Sequence, residues 1–371
     1  MIFLLVIPLI YSILLLRILA GFEKTELTSI PSEINDYVSI SIVIAARNEE
    51  KNIPALIKSL ASLKYPSSHF EVIIVDDHSE DKTVKICNGL FQEFQLHGKV
   101  IHSSGEGKKI AIANGIKEAT GKLIVTTDAD CTFHPDWLQT ILNYYKVTSA
   151  GMMLMPVVLT GENLFARLQH VESLALAGVA AGSLQNGYPL LSNGAAMAFE
   201  KQVYAQYNNN DLRFDIASGD DMFLMLNYYK QFPNKITFIN HPSATVNANA
   251  QTSIADFLQQ RIRWSAKTKQ YTQKYIVLFG LLIILYALLI ISTVVLFLYQ
   301  PSISNLWLLS IPLIKMLIDY IFLQKVSEKL KQPFYRIEFF VWQFVYPVYI
   351  LITGLLSIAG VYKWKGRSYR N

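Results

Sequence analysis

Long apolar segments near both ends of the chain constrain its fold more than any other feature. Residues 2–20 are almost all apolar, and three further apolar stretches cover residues 275–298, 303–323 and 339–362. About 20 such residues span a bilayer as an α-helix. No basic residues precede the first stretch, so we expect an uncleaved anchor and not a cleaved signal. The sequence therefore predicts a membrane protein with a water-soluble middle.

Composition and charge agree with this division. Of the 371 residues, 52% are hydrophobic and 16% are charged, which is more apolar than an ordinary soluble protein. Cys87 and Cys131 lie in the middle of the chain without metal-ligand spacing, and a reducing cytosolic environment explains them most simply. The net charge of +5 is modest, and we expect no nucleic-acid partner.

The distribution of basic residues predicts the orientation. The connection at residues 299–302 is uncharged, whereas the chain just before residue 275 and the segment 325–336 are basic. The positive-inside rule therefore puts the middle domain in the cytoplasm, at an inner or plasma membrane. A third C-terminal span would move the basic tail, residues 363–370, to the outside. Either the tail is an exception to the rule, or one C-terminal stretch enters the bilayer without crossing it.

Lys315 and Asp319 stand four residues apart within the second C-terminal apolar stretch. Side chains at this spacing meet on one face of a helix. They are either a self-neutralising pair on a buried face or a polar contact for a lipid head group or a gate.

The middle of the chain alternates between strand-like and helix-like segments. This order predicts an α/β domain with a mostly parallel sheet and helices on both faces. In such sheets, ligands bind beyond the carboxyl ends of the strands. The predicted strands are 38–46, 71–75, 99–102 and 123–126, and the predicted helices are 48–63 with Asn48 as its cap, 82–94, 108–119 and 135–145.

Polar side chains directly follow three of the predicted strands. Gathering these charges at one edge of a sheet would be costly without a ligand to neutralise them. A phosphate-bearing nucleotide with a divalent cation meets that need. The residues are Ala46, Arg47, Asn48 and Glu49 after the first strand, Asp76 and Asp77 after the second, and Asp128 and Asp130 after the fourth.

Asp128 and Asp130 are the candidate metal ligands. Alternate residues of an extended chain point to the same side, so the two carboxylates can converge on one hard cation. The alternative is an ordinary turn at the strand end, because Asp is a common turn residue.

Other residues complete the predicted nucleotide site. Asp76 or Asp77 can accept hydrogen bonds from a base or a ribose. Lys108 and Lys109 begin a predicted helix, where they add positive charge and free N–H groups for a diphosphate. The chain has neither a Gly-x-Gly-x-x-Gly run after its first strand nor a P-loop, which removes the main support for those two kinds of nucleotide site.

Asp220 and Asp221 precede an apolar helical run at residues 222–229. They can cap that helix and complement its dipole. One of them can also cap the helix while its neighbour reacts, because adjacent side chains on a helix point about 100° apart.

A basic segment follows the predicted α/β domain. On a helix from Ser253, the side chains of Gln260, Arg263 and Trp264 share one face, and Phe257 lies on a different, apolar face. The alternative for the basic side chains is a membrane-surface helix, and we expect that role as well. These basic residues are Arg261, Arg263, Lys267, Lys269 and Lys274.

Taken in order, these motifs resemble those of the family 2 glycosyltransferases. This is a large inverting group with a glycosyltransferase A-type, Rossmann-like fold that uses nucleotide-diphosphate sugars. The resemblance covers residues 38–268 and is greatest to membrane-bound members. The motifs are Ile-Val-Ile-Ala-Ala-Arg-Asn-Glu-Glu at 42–50, Val-Asp-Asp-His-Ser-Glu-Asp at 75–81, Asp-Ala-Asp at 128–130, Asp-Asp at 220–221 and Gln-x-x-Arg-Trp at 260–264.

The resemblance implies a role for the donor-side motifs. Asp76 or Asp77 would hold the base. Asp128 and Asp130 would hold the nucleotide diphosphate and Mg²⁺ or Mn²⁺, and the helix of Gln260, Arg263 and Trp264 would close over the diphosphate.

The resemblance also implies a catalytic base and an acceptor side. Asp221 would take the proton of an acceptor hydroxyl, and Asp220 stands where the family usually has Glu. Asn193 and Gly194 resemble the acceptor-side segment of the family, with an ordinary Asn-Gly turn as the alternative.

We therefore expect a metal-dependent glycosyltransferase that moves a sugar from a nucleotide-diphosphate sugar, with a UDP-sugar as the first expectation, to a hydroxyl of a lipid or another hydrophobic acceptor. The alternatives are a processive polysaccharide synthase, for which three or four spans are few, and a non-catalytic nucleotide-sugar-binding membrane subunit. The predicted domains are an anchor at 1–23, a catalytic domain with interfacial helices at 24–272, and a C-terminal membrane region at 273–371.

A lipid acceptor is favoured by two helices that we expect along the bilayer surface. They are the helix at 164–184 and the helix from Ser253, with Phe257 and Leu258 towards the lipid. An acceptor with an apolar tail could then reach Asp221 without leaving the membrane.

Overall fold

The computed structural model describes residues 2–25, 36–214, 216, 219–359, 361–364 and 367–370. The chain divides into two compact units. The α/β unit comprises Lys24–Thr160 and Leu191–Asn249, and the helical unit comprises Met1–Glu23, Gly161–Leu190 and Ala250–Asn371. The two units are divided after residue 23, and residues 161–190 and 250–272 belong to the helical unit. The predicted domains at 1–23, 24–272 and 273–371 stay a prediction.

The elements are numbered in chain order. The helices are α1 (Ile2–Lys24), α2 (Ile53–Ala61), α3 (Thr83–Glu93), α4 (Lys108–Glu118), α5 (Trp137–Thr148), α6 (Leu164–Gln185), α7 (Lys201–Ala205), α8 (Asp220–Gln231), α9 (Ile254–Ala266), α10 (Lys274–Tyr299), α11 (Ser310–Leu330) and α12 (Arg336–Ala359). The strands are β1 (Ile40–Ala46), β2 (Phe70–Asp76), β3 (Gly98–His102), β4 (Leu123–Asp128), β5 (Cys131–Thr132), β6 (Met152–Leu154), β7 (Val157–Thr160), β8 (Met197–Glu200), β9 (Ile236–Phe238), β10 (Val246–Asn249), β11 (Val361–Trp364) and β12 (Arg367–Arg370).

The α/β unit is built on a mixed sheet with the strand order β3-β2-β1-β4-β8-β6-β9. Strands β3, β2, β1 and β4 are mutually parallel, and β8 is antiparallel to both of its neighbours. The central strands β1 and β2 are apolar and buried on both faces, as expected for parallel strands covered by helices. The structure therefore has the predicted α/β architecture with a mostly parallel sheet.

The register of the parallel strands brings their carboxyl ends to one edge. Ala46 at the end of β1 lies opposite Asp76, and the preceding residue of β1, Ala45, lies opposite Asp128. Asp76 in turn lies opposite His102 at the end of β3. The polar residues that follow these strands are therefore neighbours in space, as the sequence predicted.

The predicted start of the helix at 48–63 is wrong. Helix α2 begins at Ile53 and not at Asn48. Asn48 instead adopts a left-handed backbone conformation with φ of 52°, and its side-chain oxygen accepts a hydrogen bond from the backbone N–H of Glu80 at 2.9 Å. Asn is among the residues that tolerate this conformation. Asn48 therefore forms a turn after β1 and connects it to the loop after β2, and it does not cap a helix.

A buried carboxylate, Glu71, joins the amino-terminal ends of three segments in the α/β unit. Its Oε1 accepts hydrogen bonds from Ser41 Oγ at 2.6 Å and from the backbone N–H and hydroxyl of Thr120, both at 2.7 Å. Burial alone would raise the pKa of Glu71, but these hydrogen bonds outweigh it and hold the pKa below its ordinary value. Glu71 therefore stabilises the fold in its ionised form.

We expect Glu71→Gln to lower the free energy of unfolding at pH 7 by about 1–3 kcal/mol, because the amide replaces a charged acceptor of several hydrogen bonds. Since the pKa in the folded state is lowered, this contribution is present above the ordinary pKa of 4.5 and is lost as the pH falls below it. Denaturant titrations in detergent at pH 7 and pH 4 measure both effects. Glu93→Gln, at an exposed position of α3, is the control. An equal loss for the two variants at pH 7 would contradict this role.

Among the described residues, four helical segments are long and apolar enough to cross a membrane. They are Leu4–Lys24, Lys274–Tyr299, Ile303–Leu330 and Arg336–Ile358. This agrees with the predicted anchor and with three C-terminal apolar stretches. Of the basic tail, residues 365 and 366 lie outside the described residues.

Helix α6 is enclosed by other helices of the helical unit, so it lacks the exposed apolar face on which its predicted position along the bilayer surface depends. It packs against α11 and α12. Two glycines permit the close packing: a methyl group on Gly178 would lie 2.5 Å from the side chain of Val326, and one on Gly182 would lie 2.0 Å from the backbone oxygen of Ile18. Small residues of this kind let helix backbones approach closely. Buried residues extend from Ala166 to Leu184.

Lys315 and Asp319 form a buried ion pair on α11. The carboxylate of Asp319 also accepts hydrogen bonds from the hydroxyl of Tyr11 at 2.5 Å and from the side-chain amide of Gln343 at 3.3 Å. The pair thus ties α11 to α1 and α12. Of the two alternatives, this geometry supports the self-neutralising pair on a buried helix face.

Candidate active site

The loops after β1 and β2 are bound to each other by side chains from the first predicted motif. Arg47 donates hydrogen bonds to the backbone oxygens of Asp77 at 2.9 Å and His78 at 2.7 Å, and it pairs with Glu80 at 3.3 Å. The backbone N–H of Glu49 donates to the hydroxyl of Thr83 at 2.8 Å. Together with Asn48, these groups shape the edge of the sheet, and a direct contact of residues 46–49 with a nucleotide stays a prediction.

Asp76 and Asp77 are buried beside this edge, with 3% and 1% of their surfaces exposed. The carboxylate of Asp77 accepts a hydrogen bond from the backbone N–H of Gly107 at 3.0 Å, which fixes the loop before α4. The carboxylate of Asp76 lies 3.3 Å from Nδ1 of His102 and 3.3 Å from the backbone nitrogen of Ser79. Carboxylates accept hydrogen bonds of the kind that a base or a ribose donates, so both residues remain candidates for holding a base.

Asp128 and Asp130 are close to each other, but not for the reason that the sequence suggested. Strand β4 ends at Asp128, and Asp130 lies in a turn rather than in extended chain. Burial raises the pKa of Asp130 to about 6, and the negative charges of Asp128 and Glu49 add to this shift. Asp128 and Glu49 therefore repel the charge of Asp130, and a cation held by Asp128 and Asp130 would offset that repulsion.

Lys108 and Lys109 serve different partners. The Lys108 ammonium contacts the carboxylate of Asp128. Lys109 is buried, and its ammonium donates to three backbone oxygens: Leu212 at 3.2 Å, Arg213 at 2.8 Å and Ile216 at 2.9 Å. An ammonium has three protons, so these bonds use its donor capacity. Lys109 therefore holds the loop before α8, and its predicted contact with a diphosphate has no support in this geometry.

Asp220 and Asp221 form the first turn of α8, next to the segment of Asn193 and Gly194. The backbone N–H of Gly194 donates to Oδ2 of Asp221 at 3.1 Å. A methyl group on Gly194 would lie 3.7 Å from Oδ2 of Asp220 and 3.8 Å from Nζ of Lys108. Because Lys108 also contacts the carboxylate of Asp128, the structure brings the predicted base and the Asp-x-Asp motif together.

Asn193 and Gly194 also form the turn that was the alternative to an acceptor-side role. The backbone oxygen of Asn193 accepts from the N–H of Ala196 at 2.9 Å, and its side-chain oxygen accepts from the N–H of Ala195 at 3.0 Å. Gly219, the residue before α8, has no side chain that could cap the helix, and Asp220 and Asp221 supply negative charge at this helix terminus. The turn at Asn193 and Gly194 is compatible with an acceptor-side role, and the position of the two aspartates at a helix terminus is compatible with a role as catalytic base.

Gln260, Arg263 and Trp264 lie on α9, in the helical unit, and all three are half-buried. Ser253 begins this helix as predicted, because its hydroxyl accepts a hydrogen bond from the N–H of Asp256 at 3.0 Å. The predicted apolar face is different: Phe257 is 4% exposed and packs against Tyr349 of α12, so it faces protein and not lipid.

Sequence reasoning misplaced Arg261. We expected it on a membrane surface, but it is 3% exposed and pairs with Glu172 of α6. The available signal was helical spacing, since Arg261 lies four residues after Phe257 and three before Trp264, which puts it on a face with two aromatic rings. Its partner lies 89 residues away along the chain and could not be identified from the spacing.

Two family profiles match this chain. The profile described as Glycosyl transferase family 2 matches residues 41–201, and the one described as Glycosyl transferase family group 2 matches residues 123–323, which is more than half of the chain. Both profiles include Asp128 and Asp130.

Three characterised or named proteins show the range of similarity. The probable glycosyltransferase YdaM of Bacillus subtilis is 25% identical over 255 residues, or 65% of this chain and 57% of the relative. The beta-monoglucosyldiacylglycerol synthase of Synechocystis sp. is 30% identical over 140 residues, or 37% of this chain and 29% of the relative. The undecaprenyl-phosphate 4-deoxy-4-formamido-L-arabinose transferase of Pectobacterium carotovorum is 30% identical over 113 residues, or 30% of this chain and 35% of the relative. This chain thus spans little more than half of the first relative and about a third of the others.

Among solved structures, the mannosyltransferase PcManGT from Pyrobaculum calidifontis, in complex with GDP-Man and Mn²⁺, is similar over 94% of each chain. The TM-score is 0.56 and the sequence identity is 14%. At this identity the likeness concerns the fold, and it confirms the fold class predicted from the sequence.

Proposed function

Because this chain belongs to glycosyl transferase family 2, we propose that it is an inverting glycosyltransferase that uses a nucleotide-diphosphate sugar as donor. The observation that carries the proposal is the position of Lys108. Its ammonium contacts Asp128, and it lies beside Gly194 and Asp220 at the start of α8. A donor diphosphate held near Asp128 would therefore present its sugar to the carboxylates of α8. A UDP-sugar is the first expectation for the donor.

Asp221 is the proposed catalytic base. As the acceptor oxygen bonds to the anomeric carbon, the bond from that carbon to the diphosphate oxygen breaks, and the configuration inverts. The acceptor proton moves to Asp221, and the nucleoside diphosphate leaves with the electron pair. The N–H groups of Gly194 and Met222 donate to the two oxygens of Asp221, at 3.1 Å and 2.8 Å, so the carboxylate is fixed at the start of α8, where the proposed acceptor would meet it.

Asp128 and Asp130 are the proposed ligands of Mg²⁺ or Mn²⁺. Across the described residues, no cluster of three or more His, Cys, Asp or Glu side chains is arranged to hold a metal ion. Two carboxylates nevertheless fit a hard cation whose other ligands are diphosphate oxygens and water. The pKa of Asp130 is raised mainly by burial and then by the charges of Asp128 and Glu49, and a cation would offset those charges. When bound, the ion would neutralise charge on the departing nucleoside diphosphate.

Gln260, Arg263 and Trp264 remain candidates for the donor diphosphate, as the resemblance to the family implies. Lys108 is the second cationic candidate, because it is half-exposed beside Asp128. Ala46 to Glu49 are proposed to shape the base-binding edge, with Asp76 or Asp77 accepting from the base.

A lipid is the proposed acceptor. In the part of the chain that the structure describes, four helices are long and apolar enough to cross a bilayer, and the names of two relatives mention diacylglycerol and undecaprenyl phosphate. The surface position that we expected for α6 and for Phe257 does not contribute to this argument, because both are buried. The four candidate membrane spans and the two relatives therefore support a lipid acceptor.

The α/β unit is proposed to lie in the cytoplasm, following the positive-inside rule. The packing of α12 bears on the conflict over the basic tail. Trp342 and Tyr349 of α12 contact Phe257 of α9, and β11, which follows α12, also packs against α9. Helix α12 has 24 residues and is about 36 Å long, whereas α9 has only 13 residues. If α12 crossed the bilayer, β11 at its carboxyl end would lie far from a short helix that contacts Trp342 in the amino-terminal half of α12. This supports the alternative in which α12 enters the bilayer without crossing it.

The decisive experiment is a screen of nucleotide sugars with membranes that contain this protein, read by the mass of the product. One sugar on a lipid is the expected result. A long polymer would indicate the processive synthase, and no product with any donor would indicate a non-catalytic binding subunit. Membranes without the protein provide the background.

We further expect much poorer transfer to a short-chain, water-soluble analogue of the acceptor than to the long-chain form in a bilayer. Drawing an apolar tail into water costs about 0.8 kcal/mol per CH₂ group, and a membrane-bound enzyme avoids that cost. Initial rates with both acceptors at equal total concentration measure the difference. Equal rates would point to a cytosolic acceptor and leave the apolar helices as anchors only.

A further inference from the structure

Arg261 stands at the second position of the Gln-x-x-Arg-Trp segment and is buried in the helical unit. Its Nε donates to Oε2 of Glu172 at 3.0 Å, and its Nη2 contacts the same oxygen. Both side chains are less than 10% exposed. Taking two charges out of water costs about as much as their attraction returns, and well-packed apolar residues often stabilise a fold equally well. Stability alone therefore does not account for this pair.

The rest of the Arg261 guanidinium contacts two residues of the segment itself. Its Nη1 donates to the side-chain oxygen of Gln260. Its central carbon lies 4.4 Å from the ring centroid of Trp264 and 4.3 Å from that of Phe257. A planar guanidinium has donors on its edges and π-stacking surfaces on its faces, so one side chain can fix an amide and an indole at the same time. Lysine offers neither the planar face nor the second edge.

Glu172 in turn is held by a separate helix. Its second oxygen, Oε1, accepts a hydrogen bond from the hydroxyl of Tyr349 on α12 at 2.7 Å. Tyr349 also packs against Phe257, with their ring centroids 5.4 Å apart. Residues of α6 and α12 therefore fix the position of the guanidinium together. The guanidinium in turn fixes side chains of α9.

We propose that Arg261 is a positioning residue: held by Glu172, it sets the side chains of Gln260 and Trp264 without contacting the donor itself. The inference rests on the proposed function, in which Gln260 and Trp264 contact the donor diphosphate. The competing explanation is that Arg261 only neutralises the buried charge of Glu172. These two explanations predict different results when both charges are removed together.

A set of four variants separates them. Arg261→Gln leaves Glu172 buried without its counter-charge, and Glu172→Gln does the reverse, so both single variants should lose thermal stability. The double variant E172Q/R261Q removes both charges and should regain most of that stability. If Arg261 positions Gln260 and Trp264, the double variant should still transfer sugar roughly 10²-fold more slowly than the wild type, as displacement of a site residue by about 1 Å can cause. If its role is only neutralisation, transfer should return together with stability.

Arg261→Lys is the fourth variant, and it tests the role of the guanidinium in a protein that should still fold. It keeps the charge beside Glu172, so the protein should melt near the wild-type temperature, while kcat/KM for the donor falls and KM for the acceptor stays the same. Arg167→Gln is the matched control, because Arg167 joins the same two helices, α6 and α12, through a different partner, Glu338, at 3.4 Å. Its donor kcat/KM should match that of the wild type.

A spectroscopic measurement makes the test independent of activity. In protein labelled with 5-fluorotryptophan, the ¹⁹F resonance of Trp264 is identified by its absence in Trp264→Phe. It should shift or broaden in Arg261→Lys and in the double variant, and it should be unchanged in Arg167→Gln. A Trp264 resonance that is the same in Arg261→Lys as in the wild type would overturn the proposal. If the wild type transfers no sugar at all, the proposed function fails, while this resonance still decides the role of Arg261.

Discussion

Asp130→Ala should abolish transfer from the donor, and it should also weaken binding of the nucleotide. Asp130 is mostly buried beside Asp128 and Glu49, and a protein holds Mg²⁺ at a phosphate group with only one or two carboxylates, so each of them matters. Removing one of them leaves the charge of the diphosphate without its main compensation. Transfer assays with the best donor from the screen, together with nucleotide titrations by calorimetry, measure the two losses.

A chelator should reproduce this effect in the wild type, and excess Mg²⁺ or Mn²⁺ should reverse it. Asp136→Ala is the matched control, since Asp136 follows the same strand end but pairs at the surface with Lys64 at 3.6 Å. It should keep wild-type activity. Full activity of the wild type in excess chelator would contradict a metal role for Asp128 and Asp130.

Asp221→Asn should lower the rate of transfer by about 10²-fold or more, with donor binding retained. The amide keeps the shape of the carboxylate and can still accept from the N–H of Gly194, but it cannot take a proton at neutral pH. Because the interaction is made only during the reaction, kcat should fall while KM for the donor changes little. Single-turnover assays with a saturating donor measure the chemical step directly.

Asp220→Asn is the control for this prediction, because it makes the same change one residue earlier in the first turn of α8. It removes the same negative charge from the helix terminus and should cost much less. If Asp220→Asn were the more damaging substitution, the roles of the two aspartates would be reversed. Equal, small losses would leave both with the capping role alone.

Features that depend on neighbours in the chain could be predicted from the sequence. The apolar stretches follow from composition over about 20 residues, and the α/β order follows from apolar periodicity between turn residues. The register of parallel strands then had to bring Asp76 and Asp128 to the same edge, whatever packs around them. The family resemblance depends on motifs of the same local kind.

Roles that depend on distant partners were decided only by the tertiary structure. Lys109 looked like a phosphate ligand at a helix start, but backbone oxygens more than 100 residues away use its three protons. Asn48 looked like a helix cap, yet its side chain accepts from Glu80 in another loop. Arg261 and Phe257 looked like membrane-surface residues, yet α6 and α12 enclose them. The sequence by itself determined which segments form helices, strands and spans, because those choices are made by short-range periodicity. Which polar side chains face a ligand and which hold the scaffold was decided by long-range packing, because a buried charge must find its partner wherever the fold brings one.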